Sequence, residues 1–570
     1  MVHRAGRIAE STIPQAVLAQ AGRRRDHTAM LAHRDGSWSP LTFGELSDRI
    51  EHLAGAIQGR GVAPGDRIAL LGPNSPDWGT AYLAILRAGA IVVPLDRLQT
   101  PDEWLGIMRQ SEVRMLFCHA ADVLKVRPRA GEVATLDRTV ALDGHPEGTE
   151  HFEDLIAEGG TPTPLQRGPD DLAAILFTSG TTGRSKGVML SHRSILHDAG
   201  GMLAVVDIDG DRDVFLSVLP MHHCYECTCG FLAPLLAGAR IYYARSLAPT
   251  EIITDLQTSG ATFLLGVPLL YQKVYAGIRR GLRAKGAAGK IVLKLWDASR
   301  AGRGLWGHRM GRVLLGGVRR KAGLGSMRYM VSGGAPLPPD VGFGLESLGV
   351  QVLQGYGLTE TAPVVSLNSP ARSNPASVGQ PLPGVEIRID DPDREGRGEI
   401  HIRGPVVMQG YWRDEEATRS VLVGDWFKTG DLGRFDRRGY LHITGRSKNL
   451  IVSPGGKNIS PEEVEMAALR SMLVAEILVC GVPAKGGGGE EVFAYVYPDY
   501  EHLSGQGLPA TTGSALEELM RRELQRTTAD LAPYKRIVRF ELTSDPFEKT
   551  TTQKIKRHRH TGGATDDVQE

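Results

Sequence analysis

The chain has 570 residues, enough for several folding units rather than one core. Its 66 basic and 65 acidic side chains leave a formal net charge of +1, so bulk electrostatics points to neither nucleic acid nor a membrane as an obligate partner. Five cysteines over this length make no disulfide framework and fit a reducing compartment.

The opening stretch MVHRAGRIAESTIPQAVLAQAG lacks the apolar run of about 7–15 residues that a secretory signal needs. No stretch of about 18 apolar residues follows, so a cytoplasmic protein is expected. Within LTFGELSDRIEHLAGAIQGRG, the residues Leu46, Ile50, Leu53 and Ile57 recur at helical spacing and predict an amphipathic helix. The short apolar runs RIALLG (67–72), AAILF (173–177) and RIYYA (240–244) read as strands. Their alternation with helical segments predicts α/β layers with mainly parallel sheets. Near 430–460, GRFDRRGYLHITGRSKNLI reads as a hairpin followed by a polar connector. SPEEVEMAAL then starts a helix with Ser460 as N-cap, Pro461 at N1 and acids in the first turn. The expected organisation is a large N-terminal domain of layered parallel and mixed sheets with helices over residues 1–446, and a small α+β C-terminal domain over 447–570 on a hinge.

The stretch LFTSGTTGRSKGVMLSH, Leu176–His192, packs glycine, serine and threonine around one lysine. Its spacing is not the Walker pattern, because Gly180 is followed by Gly183 and then Lys186. A strand ending at Phe177 and followed by small residues exposes backbone N–H groups that can surround an anion, and Lys186 adds a point charge. The run TSGTTGRSKG resembles the phosphate loop of the adenylate-forming superfamily. The family's further motifs have counterparts in order: VSGGAPL (331–337), QGYGLTE (354–360), DWFKTGDLG (425–433), GRSKNLIVSPGGKNISPEEVE (445–465) and KTTTQKIKR (549–557). With LTFGELSDRIEHLAGAIQGRGVAPGDRIALLGPNSPDW similar to the family's opening region, the resemblance covers nearly the whole chain.

The resemblance implies a role for each matched residue. Thr178, Ser179, Gly180, Thr181, Thr182, Gly183 and Lys186 would form the phosphate loop for ATP. Gly333, Gly334 and Ala335, with Gln354, Gly355, Tyr356 and Gly357, would line the adenine. Thr359 would reach the α-phosphate, while Asp431 and Arg446, with Ile443 beside them, would hold the ribose. Thr178 and Glu360 are the magnesium candidates, both hard oxygen donors. His223 would sit at the nucleotide–acyl junction. Lys554 would bridge carboxylate and phosphate oxygens during adenylation, where cations stabilise developing charge. Lys448 would be the hinge, and Gly455, Gly456 and Lys457 would border the path of coenzyme A (CoA). The chain departs from the family at Gln553, where glycine usually precedes the lysine. Lys556, two residues on, would share a face with Lys554 on an extended segment.

MHHCYECTCGFLAPLLAG (221–238) falls where the family lines its acyl pocket. His222, His223, Cys224, Cys227 and Cys229 crowd into eight residues without a second half, unlike the paired ligands of a zinc cluster. The plainer reading is a helix whose small cysteines pack a lipid tunnel. CYE resembles long-chain fatty acyl enzymes, and no Phe-Asp pair of the amino-acid type follows Pro220. The long connection between GVPLLYQKVY (266–275) and MRYMVSGGAPL (327–337) is also similar to theirs. The expected activity is a long-chain fatty acid–CoA ligase using ATP and magnesium. The alternatives are an acyl-AMP ligase loading a carrier protein, a ligase for another apolar or aryl acid, and a silent lipid-binding protein. Intact Glu360, Asp431 and Lys554 weigh against silence. Between Lys273 and Lys321 stand fourteen Lys or Arg against one acid, Asp297, interleaved with Ile291, Val292, Leu293, Leu295, Trp296, Leu305, Trp306 and Met310. This mixture predicts peripheral contact with an anionic membrane at its inner surface, with a solvated face serving CoA phosphates as the alternative. No nucleic-acid partner is expected, and the oligomeric state is left open, a homodimer being the one considered.

Overall fold

A computed structural model describes residues 9–550, apart from 35, 165, 179–184, 302–310, 485–486 and 512, together with 555–557 and 560. Ser179, Gly180, Thr181, Thr182 and Gly183 of the phosphate loop, and Lys554 with Gln553, lie outside the described residues.

The predicted opening helix forms over Phe43–Gly59, and Leu46, Ile50, Leu53 and Ile57 are fully buried. A reciprocal cap starts it: the Glu45 N–H donates to Thr42 Oγ1 at 3.1 Å and the Thr42 N–H donates to Glu45 Oε2 at 2.8 Å. The helix packs against the helices Ile13–Arg23, Pro76–Arg87 and Phe152–Glu158. An eight-stranded sheet has the order Gly410–Tyr411, Lys186–Ser191, Leu172–Thr178, Ile91–Pro94, Arg67–Leu71, Val113–Cys118, Arg138–Ala141, Glu150–His151. All pairs from Leu172–Thr178 to Glu150–His151 are parallel, while Lys186–Ser191 folds back antiparallel.

A nine-stranded sheet follows, with a parallel centre of Val214–Ser217, Phe263–Gly266, Tyr329–Ser332 and Gln351–Gly357. Phe215 and Phe263 stack across neighbouring strands with centroids 4.4 Å apart. The loops leaving the C-terminal ends of Tyr329–Ser332 and Gln351–Gly357 carry the VSGGAPL and QGYGLTE residues, where open α/β sheets bind ligands. The third sheet is antiparallel, and in it the expected hairpin pairs Trp426–Phe435 with Leu441–Arg446.

After Arg446 a short turn, Ser447–Asn449, leads to a smaller α+β unit. Its hydrophobic cluster draws only on residues between Ile451 and Leu542. Strands Val474–Pro483 and Glu490–Pro498 run antiparallel, and Arg539–Leu542 adds in parallel. The helix Pro461–Ala468 begins where expected, but the Ser460 hydroxyl donates to Glu462 Oε2 at 2.8 Å and caps no backbone N–H. The hydroxyl proton goes to the nearby carboxylate, an ionised acceptor, and this fixes the side chain in an orientation that does not cap.

The basic insertion folds into the helices Pro268–Arg283, Gly286–Ala301 and Gly316–Lys321. Leu293 and Trp296 do not face outward as a lipid-facing set requires. Both are buried, and the Trp296 indole N–H donates to the Gly344 carbonyl at 2.9 Å and to Ser347 Oγ at 2.8 Å. An indole N–H seeks a polar partner once buried, and the strand-connecting segment supplies two. Several of the cations are committed as well. Arg279 lies over the Trp296 ring and pairs with Asp297 at 2.9 Å. Arg280 pairs with Glu501 of the C-terminal unit at 2.5 Å. Arg319 is buried and donates to the carbonyls of Leu324 and Met327. Ile291, Leu295, Val313 and Leu314 remain exposed, and Leu305, Trp306 and Met310 lie outside the described residues. Among the described residues no helix is long and apolar enough to cross a membrane.

Candidate active site

Three sheets meet at the nucleotide motifs. Tyr356, near the end of a nine-sheet strand, donates its hydroxyl to Asp431 Oδ2 at 2.8 Å in the third sheet. Asp431 is directly opposite Arg446 across the hairpin, and Arg446 Nε reaches Asp431 Oδ1 at 2.7 Å. The Asp431 charge is the main reason that the Arg446 guanidinium holds its proton more tightly than usual. The three residues expected around base and ribose are therefore in direct contact. Ile443 lies in the same hairpin strand, half-buried.

The glycines around them have steric reasons. A Cβ on Gly357 would lie 1.7 Å from the Pro363 carbonyl oxygen, and one on Gly333 would press on the Tyr225 ring at 3.1 Å. Gly334 has φ +83° and is exposed with Ala335 at the rim. A Cβ on Gly355 would meet Leu367 Cδ1 at 3.2 Å. Gln354 is buried, and its amide is spent inside the protein. Its oxygen accepts from the Leu337 N–H at 3.3 Å and its nitrogen donates to the Pro375 carbonyl.

The phosphate end is built around a residue absent from the sequence reading. Tyr411 donates its hydroxyl to Glu360 Oε1 at 2.9 Å, and the Lys186 ammonium lies over the Tyr411 ring, 4.9 Å from its centroid. Tyr411 thereby joins the lysine of the phosphate loop to the proposed magnesium carboxylate. Its GYW context carries an aromatic, but only the pairing of Gly410–Tyr411 with Val188 and Met189 brings it here. Thr178 ends its strand opposite Lys186, and its hydroxyl donates to the Lys186 carbonyl at 3.5 Å. Glu360, Thr178 and the Lys186 cation thus face one region, a donor set of hard oxygens suited to magnesium on a phosphate.

On the acyl side, the 221–238 segment winds as a π-helix over Tyr225–Leu232 and only then as an α-helix over Ala233–Ala237. Such wide turns are frequent at functional sites. Cys224 Sγ lies 3.8 Å from His223 Nδ1 and 3.7 Å from Thr359 Oγ1, so His223 and Thr359 flank one thiol. Cys227 and Cys229 sit in the core with Phe231 and Leu232, and burial pushes the Cys227 thiol up to about 12. Glu226 is 1% exposed and its Oε2 has no hydrogen-bond partner among the described residues. Burial pushes its carboxyl up to about 8, with the Ser217 hydroxyl as a minor opposing influence. Gly230 makes room for it, since a Cβ there would come within 2.5 Å of the carboxyl carbon.

In the C-terminal unit, Lys448 is exposed in the connecting turn. Gly455, Gly456 and Lys457 form the exposed tip of a tight hairpin closed by the Ser453 N–H donating to the Lys457 carbonyl at 3.0 Å. Gly456 has φ +69°, as such a turn demands. Lys556 pairs with Glu548 at 2.5 Å. Arg557 grips half-buried Glu465 at 2.6 Å and donates to the Val479 carbonyl at 2.8 Å. Lys549 bridges to Ile555 across the segment and pairs with Glu476.

A family model for AMP-binding enzymes matches residues 17–412, the span that holds the phosphate strand, both glycine loops, Glu360 and Tyr411. The chain belongs to the AMP-binding enzyme family. Within it, the long-chain-fatty-acid–CoA ligase FadD15 of Mycobacterium bovis is 30% identical over 564 residues, covering 92% of this chain and 90% of that protein. A feruloyl-CoA synthase of an Amycolatopsis species is 31% identical over 478 residues, covering 82% of this chain and 86% of that one. Among solved structures, ATP-bound MatB from Rhodopseudomonas palustris superposes with a TM-score of 0.76 at 28% identity, over 95% of this chain and 97% of that one.

The buried acid of this AMP-binding enzyme generates a pH prediction. Glu226 has a folded-state pKa near 8, above its ordinary 4.5, so the native state holds a proton that the unfolded chain gives up between these values. Its contribution to stability is complete below about pH 4.5 and falls as pH rises towards about 8, by at most about 1.4 kcal/mol per pH unit. Glu226→Gln keeps the shape and removes the titration. The variant is expected to lose stability less steeply than wild type between pH 5 and 8 in urea unfolding followed by near-UV circular dichroism (~pH steps of one unit).

Proposed function

We propose that this AMP-binding enzyme condenses a long-chain fatty acid with ATP, giving acyl-AMP and pyrophosphate, and then transfers the acyl group to the thiol of CoA, releasing AMP. The observation that carries the choice of acid is the apolar, neutral character of the segment that follows His223. Cys224, Cys227, Cys229, Phe231 and Leu232 are buried and neutral, and the one acid among them, Glu226, is held protonated near neutral pH. Such surroundings favour an apolar tail over a charged one. Similarity to a fatty acid–CoA ligase over nine-tenths of both chains supports the same class. The feruloyl-CoA synthase relative supports an aryl acid as the second reading.

The chain's own residues divide the work of adenylation. Tyr356, Asp431 and Arg446 orient the nucleoside, and Lys186 with the 178–183 loop holds the phosphates. Thr359 and His223 border the point where carboxylate meets α-phosphorus. Glu360 and Thr178 would hold magnesium, which neutralises charge on the departing pyrophosphate. Lys554 supplies the cation between the two reacting anions. Residues 1–446 and 447–570 act as two domains, with the turn at Lys448 as the hinge. After adenylation the Gly455–Gly456 hairpin replaces Lys554 and admits the pantetheine arm.

The acid is tested by CoA-dependent AMP release with saturated fatty acids from short to long, beside ferulate and benzoate. Selection for acids of about twelve carbons or more supports the reading, and higher kcat/KM for an aryl acid replaces it with the second. Replacing CoA by a phosphopantetheinylated carrier protein in the same assay decides the acceptor. Lys554→Ala is expected to slow acyl-adenylate formation by on the order of 10²–10³ while leaving thioester formation from pre-made acyl-adenylate largely intact. Lys556→Ala, whose cation is already paired with Glu548, is expected to change adenylation only slightly, and the opposite ranking would reassign the lysine.

For the insertion we propose contact with an anionic bilayer at the cytoplasmic side, through Ile291 and Leu295, each preceded by a lysine, Lys290 and Lys294, all four exposed. Co-sedimentation with anionic liposomes is expected to weaken with salt and with Lys290→Gln/Lys294→Gln. Arg279→Gln, which removes a cation already paired with Asp297, should matter less. Salt-independent sedimentation would sink the idea.

A further inference from the structure

The far edge of the eight-stranded sheet carries a cluster that the nucleotide chemistry does not use. Its last two strands are Arg138–Ala141 and Glu150–His151, followed at once by the helix Phe152–Glu158. The loop between the strands turns back through Gly144, at φ +59°, and Gly148, at φ +74°. It lays the His145 ring on the His151 ring with centroids 3.9 Å apart and planes at 30°. Asp154 follows in the first turn of the helix, with Oδ2 at 3.9 Å from His151 Nδ1. One ligand atom from each of His145, His151 and Asp154 lies within 4.8 Å of the other two.

Two further observations make this more than a chance meeting. His151 Nδ1 is shielded from solvent and has no hydrogen-bond partner among the described residues. A buried ring nitrogen with nothing to bond is costly unless something occupies its lone pair or its proton. The three residues also line one cavity of about 400 Å³, with Glu147 and Thr149 on its rim. The nearby cation does not fill the role, because Arg60 is held by Glu150 and, at 2.9 Å, by Glu158.

The geometry points to a divalent transition-metal site formed by His145, His151 and Asp154. Two imidazoles and one carboxylate suit zinc, and they offer too few oxygens for calcium or magnesium. Zinc–ligand bonds of about 2.0–2.2 Å require ligand atoms about 3.3–3.5 Å apart. The exposed side chains of His145 and Asp154 reach this by rotating about their own bonds, which separates the stacked rings. Water or the carboxylate of Glu147 completes the shell. The site is six strands from Lys186 in the sheet order, or about 29 Å at ~4.8 Å per strand. It is therefore separate from any magnesium on the phosphates, and its action is to fasten the edge strand to the loop and helix on either side.

The test uses the full-length chain without a histidine tag, stripped with a chelator and titrated with zinc chloride against a chromophoric competitor. One zinc per chain is expected, with a thermal midpoint that rises with zinc. Cobalt(II) in place of zinc should give the visible absorption of a low-coordinate ion. His145→Ala and Asp154→Asn, both at exposed positions, should each weaken zinc binding by about tenfold or more. Both should leave zinc-free adenylation at the wild-type rate, which also reports that they fold. Wild type that takes up no zinc, or variants that bind it as tightly as wild type, overturns the proposal.

Discussion

Two tyrosine–carboxylate hydrogen bonds hold the nucleotide site together, and each crosses from one sheet to another. Tyr356 to Asp431 joins the nine-stranded sheet to the antiparallel one at 2.8 Å. Tyr411 to Glu360 joins the nine-stranded sheet's following turn to the eight-stranded sheet at 2.9 Å. Asp431 is nearly buried and already balanced by Arg446, so its charge is fixed in place before any ligand arrives. Preorganised charge of this kind spares the reorganisation that solvent would impose.

The sequence patterns that act over short range were legible. Leu46, Ile50, Leu53 and Ile57 announce their helix because a buried face repeats every three to four residues. The 426–446 hairpin is visible because its strands are neighbours in the chain. What escaped depends on distant pairing or on competition between partners. Tyr411 stands 51 residues from Glu360 and reaches it only through a two-residue strand pairing. The wide turn over Tyr225–Leu232 leaves no periodic trace distinct from an α-helix in so short a span. Trp296 reads as lipid-facing beside cations, yet its N–H has two backbone-segment partners that composition does not reveal. Ser460 has the right place for a cap, but its hydroxyl is oriented by donation to Glu462 and caps no backbone N–H.

Charge is handled differently in the two halves of the acyl and basic regions. In the insertion, a strongly positive stretch is tamed by local pairs and by carbonyl oxygens, as at Arg279 and Arg319. Around Glu226 no ion pair is present among the described residues, and the acid is accommodated by keeping its proton. The first arrangement leaves charge responsive to salt; the second makes it responsive to pH.

The C-terminal segment around the proposed catalytic lysine is stitched on both flanks. Lys549 is tied to Glu476 before it, and Arg557 is paired with half-buried Glu465 after it. Anchors of this kind make the flanks part of the small unit's rigid frame rather than a loose tail. A turn of only three residues, Ser447–Asn449, links that frame to the rest. In the hinge motion proposed above, this frame would be a lever with its pivot at one end, and small torsional changes at the pivot would become a long sweep at the far end of the arm. Substitutions that soften the anchors would blur where the tip comes to rest without altering how far the arm can swing.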